Sequence, residues 1–328
     1  MDPRAEHYLD RMPFMQGRFV NAHGLTGKAY ARESNAARDP PMPNAALSPL
    51  VDTAWLAANL ADPTLRIFDC SVTLVPFEGG VRPESGRAAW ATGHIPGSGF
   101  ANLIADLSDR GNPLPFMMPP AAQFAAAMGR YGVGPGTRVV LYDGGGHMLA
   151  TRVWWMLRAM GFDDAAVLDG GFAKWKAEGR PLSTAAPAYP AATFVPRPQP
   201  ELFVDKQHVQ GSLGADGVCM LNALSADEHS GRASRTPRPG RIPGSGNVPA
   251  MSLIDPATGA YLPLAMLREK FRAAGALDGC RVVTYCGGGI AATSAAFTLV
   301  RLGAPHVAVY DGSLVEWSAD RTLPMETG

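Results

Sequence analysis

The sequence lacks an excess of charge of either sign and lacks any long apolar run. Its 29 basic and 29 acidic residues cancel, which argues against nucleic acid or an anionic membrane as a partner. No apolar segment approaches the ~20 residues that cross a bilayer, and the N-terminus lacks the pattern of a signal peptide. We therefore expect a soluble, cytoplasmic protein.

Cysteine is also scarce, because the chain has only Cys70, Cys219, Cys280 and Cys286. Their spacings match no zinc pattern and make no disulfide framework, so we expect a reducing compartment and no metal site. Cys70 follows a predicted strand and is expected to be buried. We interpret Cys280 as a bystander, because a strand separates it from Cys286 and the two are too far apart to bridge without backbone movement.

What the sequence does have is enough length for two domains and an internal repeat. Its 328 residues are 46% hydrophobic, which suits a folded globular protein. The segment Arg138–Gly146 (RVVLYDGGG) recurs as Arg281–Gly289 (RVVTYCGGG), 143 residues later. Two further blocks recur in the same order: Gly93–Ser98 as Gly240–Ser245, and Val167–Trp175 as Val309–Trp317. Long, ordered repeats of this kind indicate a duplicated domain.

The first copy alternates short apolar strands with helical segments. We predict strands over Arg66–Asp69, Arg138–Tyr142 and Ala165–Leu168, and helices over Ala121–Tyr131 and Ala150–Met160. This order is typical of α/β units on a mainly parallel sheet. We expect an N-terminal arm over residues 1–45, a first domain over 46–185, a proline-rich linker over 186–205 and a second domain over 206–328.

Cys286 lies at the predicted turn between a strand and a helix. Val282–Tyr285 reads as a buried strand, and Ile290–Leu302 as a helix that ends before Gly303. The intervening Gly287, Gly288 and Gly289 carry no Cβ, so their amides can face the sulfur. Such a turn, at the positive end of a helix, favours a thiolate. The alternative is a small buried core cysteine beside an ordinary turn.

The first copy has Asp143 at the position of Cys286. A carboxylate cannot act as a thiolate nucleophile or carry a persulfide. We therefore predict that the second domain is catalytic and that the first is a catalytically inactive scaffold. In the first copy's Gly-His-Ile-Pro-Gly motif, His94 is expected to be structural, with one ring nitrogen bonded to a loop carbonyl.

These motifs together resemble those of the tandem-domain rhodaneses, the sulfurtransferase family that includes thiosulfate and 3-mercaptopyruvate sulfurtransferases. The resemblance rests on the paired Ile-Pro-Gly blocks, the loop at Cys286, Asp143 in the first copy, and the Asp-Gly blocks that end at Trp175 and Trp317. It covers about residues 48 to 325. It implies an α/β fold of two tandem rhodanese-like domains, each a mainly parallel sheet flanked by helices.

The resemblance also implies a ping-pong reaction through a persulfide. The thiolate of Cys286 would take a sulfane sulfur from thiosulfate or 3-mercaptopyruvate and pass it to cyanide or a thiol, thioredoxin included. The amides of Gly287–Gly289, Ile290 and Ala291 would bind the persulfide anion. The resemblance implies neither a metal nor an organic cofactor.

The loop departs from the family's two patterns in ways that leave the donor open. Thiosulfate-type loops carry basic residues at the positions of Gly287 and Gly288. Mercaptopyruvate-type loops read Cys-Gly-Ser/Thr-Gly-Val-Thr, so Gly288 and Ala291 depart from that pattern as well. Those enzymes also use a histidine where Phe116 stands here, and an arginine near the position of Glu228.

Positive charge for an anionic donor could come from a loop that precedes the second Ile-Pro-Gly motif. This loop holds Arg232, Arg235, Arg238 and Arg241. Arginine suits carboxylates and sulfur oxyanions, so Arg235, Arg238 and Arg241 are candidate donor-binding residues. The alternative is a solvated loop that only keeps the protein soluble.

Two other functions fit parts of the pattern. A cysteine-dependent phosphatase would need an arginine at position 292, where this chain has Ala292. A persulfide relay to a specific protein acceptor would use the same covalent step at Cys286, so the sequence leaves this alternative open.

Overall fold

The computed structural model describes residues 47–77 and 80–328, so the predicted arm over residues 1–45 lies outside the described residues. The first half contains a parallel sheet in the order β1-β7-β6-β2-β5 and an antiparallel hairpin formed by β3 and β4. Its strands are Leu50–Val51 (β1), Leu65–Asp69 (β2), Val72–Phe77 (β3), Gly80–Ser85 (β4), Ser98–Phe100 (β5), Arg138–Tyr142 (β6) and Ala165–Leu168 (β7).

The second half repeats the same sheet. Its order, β8-β12-β11-β9-β10, matches the first sheet strand for strand, and all the pairs are parallel. The strands are Phe203–Val204 (β8), Val218–Asn222 (β9), Gly246–Asn247 (β10), Arg281–Tyr285 (β11) and Val307–Tyr310 (β12). The predicted α/β fold with two parallel-sheet units is therefore confirmed.

Helices flank both sheets. Those of the first half are Thr53–Asn59 (α1), Arg87–Thr92 (α2), Ala121–Arg130 (α3), Met148–Ala159 (α4) and Gly171–Ala177 (α5). Those of the second half are Lys206–Gly211 (α6), Ala226–Ser230 (α7), Leu264–Ala273 (α8), Ala291–Arg301 (α9) and Ser313–Trp317 (α10). Short 3-10 turns cover Pro200–Leu202 and Ala250–Leu253.

The predicted elements of the first copy agree closely with these bounds. Strands β6 and β7 have the predicted limits, and α4 begins two residues before the predicted Ala150. Residues 184–199 form neither helix nor strand, as expected for an extended segment rich in proline. The second sheet begins earlier than the predicted end of the linker at residue 205, because β8 already pairs with β12.

One apolar core runs through both halves of the chain. Helices α4 and α9 pack against each other, with the Trp154 and Phe297 rings edge to face at 4.9 Å. Beside them, Thr151 Oγ1 lies within hydrogen-bond distance of the hydroxyls of Thr293 (3.1 Å) and Ser294 (3.0 Å). Helix α4 follows the loop at Asp143 and helix α9 follows the loop at Cys286, so this packing links the two repeated units.

The expectation of no disulfide is wrong for one pair, because Cys219 and Cys280 are bonded to each other. Cys219 lies in β9, and Cys280 directly precedes the neighbouring strand β11, so their Cα atoms are 5.9 Å apart. This separation suits a disulfide. The pairing depends on sheet order, which the spacing of the cysteines along the chain does not reveal.

Candidate active site

Cys286 occupies the end of β11, where the chain turns into α9. The residue is 2% exposed and belongs to the apolar core. In the turn, Gly289 has a φ of +76°, and a Cβ at this position would lie 2.6 Å from the carbonyl oxygen of Asp311. Gly289 is therefore required by the backbone. Gly288 differs, because a Cβ there would meet nothing within 4 Å.

The hydroxyl of Ser313 binds the backbone of the Cys286 loop. Its Oγ accepts hydrogen bonds from the amides of Cys286 and Gly289, both at 3.1 Å, and donates to the carbonyl of Tyr310 at 2.8 Å. The backbone that follows adds two bonds, from Leu314 N to the Cys286 carbonyl (3.0 Å) and from Val315 N to the Gly287 carbonyl (2.8 Å). Ser313 was absent from the predicted site. The sequence did offer a signal: the second Asp-Gly block has Ser313 where the first has Gly171.

The matching loop of the first half shows what such a turn can hold. Asp143 is 2% exposed, and its carboxylate accepts four backbone amides. Its Oδ1 accepts from Gly145 (3.0 Å) and His147 (2.9 Å). Its Oδ2 accepts from Leu149 (3.0 Å) and Ala150 (3.1 Å). A negative charge with this many amide donors is stabilised without any basic side chain.

A buried ion pair connects the first half to the Cys286 loop. Arg152, in α4, is fully buried and donates to Asp311 Oδ1 at 2.6 Å and to the Gly289 carbonyl at 3.3 Å. It also donates to the carbonyl of Phe116, and the other Asp311 oxygen accepts from Met118 N at 2.7 Å. The segment around Phe116, whose φ is +61°, is thereby attached to the loop that carries Cys286.

The three predicted donor-binding arginines occupy different environments. Arg235 pairs with Glu228 at 2.6 Å, and both line a cavity of about 10 Å³ together with Leu224 and Leu314. Leu314 is the residue whose amide binds the Cys286 carbonyl, so this cavity lies beside the loop.

Arg238 and Arg241 instead hold the C-terminal segment. Arg238 donates to four backbone carbonyls, those of Trp317, Ser318, Asp320 and Leu323. Arg241 pairs with Glu326 and donates to the carbonyl of Gly328. Arg232 is exposed and pairs with Asp227 at 2.5 Å. The contacts of Arg238 and Arg241 with the C-terminal segment were not foreseeable from the sequence, because these acceptors lie some 80 residues further along the chain.

The first half's loop also contains a buried histidine. His147 has a φ of +49°, its ring packs edge to face on Tyr261 at 4.9 Å, and neither ring nitrogen has a hydrogen-bond partner. Burial lowers the pKa of His147 to about 4, although the neighbouring Asp143 carboxylate opposes this shift. The ring is therefore neutral at physiological pH.

His94 and Cys70 are both fully buried. The predicted hydrogen bond from His94 to a loop carbonyl is present, with Nε2 at 3.1 Å from the Ala185 oxygen, and Nδ1 lies 2.8 Å from the Trp90 oxygen. The prediction that Cys70 is buried is confirmed, and burial raises the pKa of its thiol. Cys70 is therefore a poor nucleophile.

Over residues 47–77 and 80–328, no three His, Cys, Asp or Glu side chains are grouped so that they could hold a metal ion. In the same part of the chain, no helix combines the length and apolar character needed to span a bilayer.

Comparison with known proteins identifies the family. The model of the rhodanese-like domain matches residues 52–178 and 219–320. A probable 3-mercaptopyruvate sulfurtransferase of Pseudomonas aeruginosa is 33% identical over 287 residues, which cover 85% of this chain and 98% of that protein. The thiosulfate sulfurtransferase of Gallus gallus is 33% identical over 276 residues, which cover 82% and 92%.

A solved structure agrees with these matches. The crystal structure of SseA from Escherichia coli, which has the rhodanese fold of 3-mercaptopyruvate enzymes, superimposes with a TM-score of 0.72 at 30% identity, covering 81% of this chain and 99% of that one. The chain belongs to the rhodanese family, in the class of rhodanese-type sulfurtransferases with two rhodanese-like segments.

Proposed function

We propose that Cys286 is the nucleophile of this sulfurtransferase and carries the transferred sulfur as a persulfide. The thiolate attacks the outer sulfur of thiosulfate or the thiol sulfur of 3-mercaptopyruvate, and a new S–S bond forms on Cys286. The S–S bond of thiosulfate or the C–S bond of 3-mercaptopyruvate breaks in the same step. Its electron pair leaves on sulfite or on the enolate of pyruvate, and the proton given up by the donor's thiol converts this enolate to pyruvate. A thiophilic acceptor then attacks the outer sulfur and regenerates the thiolate, so no external oxidant or reductant is needed.

The observation that carries this proposal is the carboxylate of Asp143 inside the first half's loop. Each Asp143 oxygen lies the same number of bonds from Cα as the outer sulfur of a cysteine persulfide. Four amides bind these oxygens at 2.9 to 3.1 Å. Because the two loops share sequence, strand position and a following helix, the amides around Asp143 support the proposal that the Cys286 loop binds a persulfide anion.

The loop at Cys286 supplies the corresponding groups. The repeat matches Gly145 and His147 to Gly288 and Ile290. We infer that the amides of residues 287, 288, 290 and 291 bind the persulfide anion, as preorganised donors stabilise developing charge in other enzymes. The amide of Gly289 is left out of this set because it donates to Ser313 Oγ at 3.1 Å. The buried position of Cys286 strengthens these bonds, because little water competes for the anion.

We propose 3-mercaptopyruvate or thiosulfate as the donor and cyanide or a thiol, such as that of thioredoxin, as the acceptor. Relatives of both donor types are about equally similar to this chain, at 33% identity. Of the three predicted arginines, we retain Arg235 as a donor-binding residue, because Arg238 and Arg241 hold the C-terminal segment and Arg235 lies near Leu314, whose amide binds the Cys286 carbonyl. The ion pair with Glu228 partly neutralises it, which favours the singly charged 3-mercaptopyruvate over the dianion.

Intact-mass measurement tests this proposal directly. The protein is incubated with 3-mercaptopyruvate or with thiosulfate, and we expect a mass gain of one sulfur that cyanide removes as thiocyanate. Cys286→Ser is the control and should gain no sulfur. Labelling of this variant, or no labelling of the wild type by either donor, would overturn the proposal.

A further inference from the structure

The two repeated loops are ordered by different groups. In the first half, the Asp143 carboxylate binds the loop amides from inside the turn. Cysteine at the same position removes both carboxylate oxygens, so other contacts must order the second loop.

Ser313 orders the second loop through other amides than those that match the partners of Asp143. Its Oγ accepts from the amides of Cys286 and Gly289, at the two ends of the Gly287–Gly288 segment, and donates to the Tyr310 carbonyl. The side chain is fully buried.

The backbone conformation of Ser313 indicates that the hydroxyl has a role. Its φ is +48°, in the left-handed region that a non-glycine residue rarely adopts. The first half has Gly171 at this position, with a φ of +55°. A Cβ on Gly171 would lie 2.7 Å from the Asp143 carbonyl oxygen, so the first half has no room for a serine there.

We propose that Ser313 is a positioning residue for sulfur transfer, which holds the backbone of the Cys286 loop in the conformation that the reaction needs. This inference rests on the proposed role of Cys286. Ser313 acts through the loop, because its hydroxyl binds the Cys286 and Gly289 amides.

The test uses Ser313→Gly, which copies Gly171 and suits the positive φ. Its control is Ser318→Gly, which removes another buried hydroxyl, one that makes no hydrogen bond, from the end of the same helix α10. We expect Ser313→Gly to lower kcat roughly 10- to 100-fold with little change in KM, as a small displacement of reacting groups does. The control should keep the wild-type kcat. A merely structural serine would lower the melting temperature and leave kcat per folded molecule unchanged, and that result would overturn the inference.

A second measurement does not depend on any sulfur donor. The rate of Cys286 alkylation by iodoacetamide is compared at neutral pH, with peptide mapping to separate it from Cys70. We expect slower alkylation in Ser313→Gly, because a disordered loop stabilises the reactive thiolate less. Equal or faster alkylation would overturn the role of Ser313. A wild type that takes up no sulfur but is alkylated faster than the variant would instead overturn the proposed function alone.

Discussion

The loops at Asp143 and Cys286 share the sequence pattern Arg-Val-Val-x-Tyr-x-Gly-Gly-Gly, yet different side chains accept their backbone amides. Asp143 fills its own turn with a carboxylate that accepts four amides. At Cys286 the hydroxyl of Ser313 accepts from the amides of Cys286 and Gly289. The difference teaches that the same turn can be ordered by a carboxylate of its own or by a hydroxyl from helix α10.

The comparison extends to the helices that follow the two loops. Helix α4 places Arg152 against Asp311 and the Gly289 carbonyl, on the loop of the other half. The matching position of α9 is Ala295, 143 residues later, which has no charged group to return the contact. Position 295 therefore returns no ion pair to the first half's loop.

The largest effect is expected when the second loop is converted into the first. Cys286→Asp copies Asp143 and should abolish persulfide formation completely, because the carboxylate cannot carry a persulfide and the remaining free thiol, Cys70, is buried and a poor nucleophile. The carboxylate should still find the loop amides, so the melting temperature should stay within a few degrees of the wild type. Mass spectrometry and thermal unfolding check the two parts. If Cys286→Asp unfolds while Cys286→Ser stays folded, the two turns are not equivalent anion sites.

The next largest effect concerns the ion pair between the halves. Arg152→Met leaves the Asp311 carboxylate buried without its partner, which should lower the free energy of unfolding by about 3–5 kcal/mol. The double variant Arg152→Met/Asp311→Asn should recover most of this loss, since the uncompensated charge is gone. Urea unfolding of the three proteins decides the matter. A loss of less than about 1 kcal/mol in the free energy of unfolding of Arg152→Met would show that this ion pair stabilises the fold little.

A third test uses the histidine of the first loop. Because the pKa of His147 is lowered to about 4 from 6.5, the unfolded chain binds a proton more readily than the folded one. Stability is full above pH 6.5 and is lost as the pH falls toward 4, with about 2 kcal/mol gone at pH 5.

Urea unfolding between pH 7.5 and 5 measures this loss, and His147→Asn is the control. Asparagine tolerates the positive φ of this position and does not titrate. The loss should be smaller in the variant by the amount that His147 contributes. Parallel pH profiles for the two proteins would contradict the prediction. The Cys286 loop has Ile290 at the position that matches His147, so this pH dependence of stability belongs to the first half.

The smallest effect is expected at Gly288. A Cβ there meets nothing within 4 Å, so Gly288→Ser should leave stability within about 0.5 kcal/mol of the wild type. An added hydroxyl beside the sulfur should change the ratio of rates with 3-mercaptopyruvate and thiosulfate. Steady-state kinetics with both donors measures this ratio. Gly289→Ser is the contrasting variant and should destabilise strongly, because its Cβ would meet the Asp311 carbonyl.

Much of the fold was predictable from local pattern. Strands β6 and β7 and helix α3 agree with the predicted limits to within a residue, because they are short apolar runs or helical segments bounded by glycine and proline. The turn at Cys286 was predictable for the same reason. The hairpin of β3 and β4 has no counterpart in the second half and was not predicted.

The donor-binding arginines show where local pattern fails. Arg235, Arg238 and Arg241 form one basic loop in the sequence, but two of them hold the C-terminal segment. Charge along a loop does not reveal which distant carbonyls its guanidinium groups will reach. The disulfide between Cys219 and Cys280 was missed for a related reason, since it depends on β9 lying beside β11.

By itself, the sequence determined the duplication, the two parallel sheets and the difference between Asp143 and Cys286, because these follow from residues near one another in the chain. Only the tertiary structure decided that Ser313 and Arg152 support the Cys286 loop and that Asp143 occupies a ring of amides. Hydrogen bonds across the interior join residues far apart in sequence, and no local periodicity records them. Ser313 stands where the first repeat has Gly171, and only the tertiary structure shows that its hydroxyl binds the amides of the Cys286 loop.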